Sequence, residues 1–182
     1  IVGMTQERKS GTNQTSFYST SLDKKHTISS VVGRNYVGGV AGWLDYGSSV
    51  HNMIASVDTI TSKGAEAYAG AIVGCATEQN AIRNINLKFS LIEGSNYAGG
   101  IVGYSDSAPE IKNIISIGDM LSGTTVGGIM SVLTEKMDLQ NIYNDIQQIS
   151  GQTAGGLFGK AEEGFTLNTV SNKIGKLDGT TV

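Results

Sequence analysis

The chain has 182 residues, of which 39% are hydrophobic and 16% charged, with 25 glycines against a single proline, Pro109. That suffices for one core, but a core poor in large side chains and rich in closely packed backbone. A net charge of -3, with no run of Lys or Arg longer than Lys24-Lys25, is no footprint for nucleic acid, and no apolar stretch is long enough to insert in a bilayer.

In chain order, Ile1-Val2-Gly3 matches the tail of a motif that recurs downstream. A polar stretch from Thr5 to Lys25 follows, so residues 4–35 are expected to be an irregular coil, an inserted loop or a partial cap. The motif then appears five times: YVGGVAG at 36–42, YAGAIVG at 68–74, YAGGIVG at 97–103, TVGGIMS at 125–131 and TAGGLFG at 153–159. The spacings are 32, 29, 28 and 28 residues. Thr181-Val182 lies 28 residues beyond Thr153 and fits the start of another copy, so a chain cut in mid-repeat at both ends is expected. A fixed period in this range is the signature of a stacked repeat.

A second file runs in phase with the first, through Asn52, Asn84, Asn113, Asn141 and Asn168. Three copies read Ile-Arg-Asn-Ile, Ile-Lys-Asn-Ile and Leu-Gln-Asn-Ile. After each Asn the residues alternate, as in Asn84-Ile85-Asn86-Leu87-Lys88-Phe89, which is a strand with one buried face. Ser56-Val57-Asp58-Thr59-Ile60-Thr61 has the same β character.

These features predict an all-β fold: a single-stranded parallel β-helix of about six coils of roughly 28 residues, with right-handed coiling expected for coils this long and uneven. One β-helix domain accounts for residues 1–182. One coil cannot cover its own apolar face, whereas stacking at about 4.8 Å pairs each strand with its equivalents above and below. The glycines Gly38, Gly39, Gly42, Gly70, Gly74, Gly99, Gly100, Gly103, Gly127, Gly128, Gly155, Gly156 and Gly159 are assigned to close backbone approach between coils. The asparagines are assigned to coil corners, where stacked amides hydrogen-bond from one coil to the next. Tyr36, Tyr68 and Tyr97 should stack likewise, with Thr125, Thr153 and Thr181 continuing the file.

The block Gly-Gly-[Ile/Leu/Val]-x-Gly behind an [Ile/Val/Leu]-x-Asn strand resembles the GLUG repeat of bacterial surface proteins. The matches at 38–42, 99–103 and 155–159 are complete, whereas Ala71 and Ser131 depart from the pattern. The resemblance covers nearly the whole chain outside residues 4–35. It implies an extracellular, wall-attached location and a β-helical region remote from any catalytic zinc, as in the N-terminal parts of Gram-positive zinc peptidases of the immunoglobulin A protease type. Large adhesins also carry it.

A zinc peptidase centre needs His-Glu-x-x-His on a helix. The two histidines, His26 and His51, lack that spacing, so no catalytic residue, metal ligand or cofactor is assigned. The run Gly155–Lys160 imitates a phosphate loop but has Ala154 and Ala161 where glycine and Ser/Thr are required. Cys75 reads as a small buried residue. Acidic residues follow the glycine blocks: Glu7, Asp45, Glu78, Asp106, Glu135 and Glu162, with Glu110, Asp138 and Glu163 nearby. A solvated, aggregation-resistant loop edge is the plain reading; a Ca²⁺ file or a lyase-like acid pair are the alternatives. Trp43 and Tyr104 open these loops, where their rings are expected to shield the coil edge, with contact to sugar or protein as the alternative; with Asp45, Asp106 and Glu110 they form the candidate interaction edge.

The expected role is a non-catalytic scaffold or recognition segment that spaces other domains of the same larger chain and engages host protein such as immunoglobulin, or glycan. An adhesin stalk and a polysaccharide-cleaving β-helix are the alternatives.

Overall fold

The computed structural model describes residues 2–4, 16–18, 25–77 and 79–181, with side chains described from Lys25 onward. It is an all-β solenoid of about five turns. β1 (Val2–Met4) and β2 (Ser16–Tyr18) come first. Five turns of one long and two short strands follow. They are β3 (Lys25–Gly33), β4 (Tyr36–Gly38) and β5 (Ala41–Leu44); β6 (Ser49–Ser62), β7 (Tyr68–Gly70) and β8 (Val73–Ala76); β9 (Ala81–Gly94), β10 (Tyr97–Gly99) and β11 (Val102–Ser105); β12 (Glu110–Ser122), β13 (Thr125–Gly127) and β14 (Met130–Leu133); and β15 (Met137–Ser150), β16 (Thr153–Gly155) and β17 (Phe158–Ala161). β18 (Phe165–Asp178) opens a further turn, so the expected six coils reduce to five complete ones.

Every pairing is parallel and joins equivalent strands of successive turns, giving three sheets. The long sheet runs β18-β15-β12-β9-β6, with β2 and β3 beside the two halves of β6. The short sheets are β4-β7-β10-β13-β16 and β1-β5-β8-β11-β14-β17. Tyr36, Tyr68, Tyr97, Thr125 and Thr153 stand in one file, and an isolated bridge extends it to Thr181. Residues 25–33, within the segment expected to be irregular, are a regular strand in register with β6. Tyr18 pairs with His51 and Lys25 with Ile54. The rest of that polar segment lies outside the described residues.

The asparagines do not sit at corners between strands. Asn52, Asn84, Asn113 and Asn141 lie within the long strands, each with φ of 55°. A left-handed residue breaks the two-residue alternation and bends the strand. Its effect is visible in the burial: Ile82 and Ile85 both face inward, three residues apart across Asn84, after which Leu87 and Phe89 restore the alternation. The inward files Val50, Ile82, Ile111, Leu139 and Ile60, Ile92, Leu121, Ile149 are fully buried. Core volume is matched between turns: a Cβ on Gly118 would collide with the ring of Phe89, its register partner.

The glycine blocks form the thin edge of the solenoid, where the two short sheets meet backbone to backbone. A Cβ on Gly38, Gly70, Gly99, Gly127 or Gly155 would strike the carbonyl three residues on. A Cβ on Gly74, Gly103 or Gly159 would press on backbone of the neighbouring short sheet. None of these has positive φ; among the described residues the one glycine that does is Gly47, in a loop. Close approach is therefore what selects glycine here. At Ser131, which departs from the glycine pattern, the buried hydroxyl donates to the carbonyl of Gly103 and fits the site by making a bond.

Candidate functional site

The outer surface of the long sheet carries a ladder of side-chain amides. Asn84 Nδ2 donates to Asn52 Oδ1 at 2.8 Å, Asn113 to Asn84 at 2.8 Å, and Asn141 to Asn113 at 2.9 Å. Asn84, Asn113 and Asn141 are exposed. Asn168 does not extend this file. It pairs with Gln140, and Thr169, with φ of 58°, takes the bend position one residue later. The strict 28-residue register sets the position, and the amide at 168 misses it by one residue.

The file two residues beyond the ladder runs Ile54, Asn86, Ile115, Tyr143 and Ser171. Ile115 and Tyr143 are 43% and 41% exposed, as large apolar side chains on a solvated sheet face. Between the two files lies an open concavity of about 570 Å³. Sequence reading missed this row. Its signal was present, since Ile115 and Tyr143 occupy the outward phase set by Asn113 and Asn141.

At the glycine edge the tyrosine file is a true stack. The rings of Tyr36 and Tyr68 are 5.2 Å apart and nearly parallel, and those of Tyr68 and Tyr97 are 4.9 Å apart. Trp43 and Tyr104 do share a register file, with Cys75 between them. They lean onto the stack and cover it: Trp43 meets Tyr36 edge-on at 4.7 Å, and Tyr104 lies 4.9 Å from Tyr68. Each such pair contributes about 0.5–1.5 kcal/mol beyond area burial, so these rings brace the corner. Burial pushes the Tyr68 hydroxyl up to about 12 and raises that of Tyr104 as well. Cys75 is buried, and burial first, then the charge of Asp106, pushes its thiol up to about 12. A protonated, enclosed thiol is not a nucleophile.

The acids do not form a continuous carboxylate file. Continuing the register one residue past the second short sheet aligns Asp45, Thr77, Asp106, Thr134 and Glu162, so carboxylates fall on alternate turns. Two turns separate them by roughly 10 Å, where repulsion in water is about 0.4 kcal/mol, half that of adjacent turns. Glu135 sits one residue later in its loop; Glu7 and Glu78 lie outside the described residues. Asp45 is committed to its turn, accepting from the Tyr46 N–H at 2.9 Å and the Thr77 hydroxyl at 3.3 Å. Glu110 is paired with Lys112 and Arg83, and Glu162 with Lys160. Among the described residues no three His, Cys, Asp or Glu side chains converge as a metal site would require.

One inward file turns polar along the chain: Ala55, Leu87, Ser116 and Asn144 are buried, and Asn172 continues the file in β18, where it is exposed. Asn144 Nδ2 donates to Asn172 Oδ1 at 2.8 Å and to the Gly156 carbonyl at 3.3 Å. Ser116 Oγ and Asn144 Oδ1 are buried without a hydrogen-bond partner. No protein-family model, curated protein or solved structure matches the chain.

Proposed function

We propose that this chain is a non-catalytic scaffold and recognition segment of an extracellular, wall-attached bacterial surface protein, of the immunoglobulin A protease-type metallopeptidases that its repeat resembles. Its partners are other domains of the same larger chain, which it spaces and presents. The observation that carries the reading is the amide ladder over four successive turns and the tyrosine stack over three. Files of this kind resist bending and shear along the axis: the ring stack ties the first to third turns and the amide ladder the second to fifth, so displacing any of these turns breaks a ring contact or a hydrogen bond. A rigid spacer needs that property and an enzyme does not. Incubating the chain with immunoglobulin and zinc should leave the immunoglobulin intact by gel analysis; cleavage would sink the non-catalytic reading.

The second reading, an adhesin stalk that contacts host protein or glycan, is favoured by Ile115 and Tyr143, whose exposure on a sheet face serves no packing purpose within the chain.

A further inference from the structure

The exposed amides of the ladder are only half used. A primary amide has two N–H donors and two carbonyl lone pairs, and within the ladder Asn84 and Asn113 each give one bond and accept one. One donor and one acceptor per turn therefore remain, repeated along a straight line. Asn113, Asn141 and Thr169 form one side of the concavity described above, and Ile115, Tyr143 and Ser171 the other.

We infer that this concavity binds an extended, uncharged, β-linked polysaccharide laid along the solenoid axis, with one sugar ring per turn. The inference rests on the recognition reading above and names its ligand class. Three features select this occupant. The repeat along the axis, seen in the ring spacings of 4.9 and 5.2 Å, is close to the length of one pyranose in an extended β-linked chain. An extended peptide advances about 3.3 Å per residue and falls out of step with the turns. A spare donor beside a spare acceptor matches a hydroxyl, which gives and takes one bond each. The apolar C–H face of a sugar ring finds its complement in Ile115 and in the Tyr143 ring. Charge argues for a neutral chain: none of the lining residues is charged, and the carboxylate beside Tyr143, Asp145, is held by Lys173 Nζ at 2.9 Å and accepts from the Tyr143 hydroxyl at 3.3 Å.

Calorimetric titration with β-1,4-linked glucose and N-acetylglucosamine oligosaccharides of increasing length tests this. Affinity should rise with length and fall away for maltohexaose, whose α-links curl it out of register. Tyr143→Ala and Asn113→Gly should each weaken binding by about fivefold, the size of one lost ring contact or hydrogen-bonded pair, with circular dichroism unchanged. Absence of binding by every β-linked oligosaccharide would overturn the inference and leave the scaffold intact. Equal affinity for maltohexaose, wild-type affinity in both variants, or displacement by an unrelated extended peptide would overturn it too. Cleavage of the bound oligosaccharide would instead overturn the non-catalytic reading.

Discussion

Asn113 shows how much one position carries. It sits at φ of 55°, donates to Asn84 and accepts from Asn141. A left-handed conformation costs an ordinary side chain roughly 1–2 kcal/mol, which Asn and Gly largely escape. Asn113→Ala should therefore lose about 2–3 kcal/mol in denaturant unfolding, through strain plus two exposed hydrogen bonds, and Asn113→Gly only about 1 kcal/mol. Equal losses would mean that the bend is not strained. Ser116 predicts the opposite sign. Its buried hydroxyl has no partner, and the turns before it place Leu87 and Ala55 in the same file. Removing an unsatisfied polar atom recovers its desolvation cost, so Ser116→Ala should stabilise by about 1 kcal/mol, a rise of roughly 2–4 °C in Tm by scanning calorimetry.

At the scale of elements, the short strands make an alkali-sensitive corner. Cys75 and Tyr68 have ordinary values of 9.0 and 10.0, and burial raises both to about 12 in the fold. Below about pH 9 both groups are protonated whether the chain is folded or not, and their contribution is complete. As pH rises from about 9 to about 12 the unfolded chain sheds these protons and the folded chain keeps them, so stability falls. Melting temperature followed by circular dichroism should decline across that window, and less so in Cys75→Ala. Much of this corner was legible in the sequence, because a stacked repeat returns equivalent residues at a fixed interval. The glycine block, the tyrosine file and the shared register of Trp43 and Tyr104 all follow from it. Which way the two flanking rings lean does not, since that depends on a neighbouring turn's side chains. The amide file was legible through Asn141. It failed at Asn168 because residue type was followed where spacing was decisive. The inner polar file was hidden for another reason: the left-handed bend resets the alternation, so inward and outward phases must be recounted from each Asn. The Asp45–Glu162 alternation stayed hidden because it spans two turns, and the period compares only one.

For the whole molecule, stacking leaves the faces of the long strands unequal. Leu139 in β15 is fully buried, whereas its partner Leu167 in β18 is 50% exposed, and Phe165 is 41% exposed. Among the described residues, β18 is an edge with free main-chain groups and apolar side chains, which favours association. The chain should therefore self-associate with rising concentration in sedimentation velocity, and Leu167→Lys should shift it toward monomer without altering its circular dichroism. Persistent association in that variant would place the contact elsewhere. The amide ladder also has a direction: each bond runs from the later turn to the earlier one. Four aligned amide dipoles polarise one another, so an inner rung is held more strongly than a terminal one. The outer wall of the solenoid is thus electrically one-way, with a lean toward one end that no count of formal charges reveals.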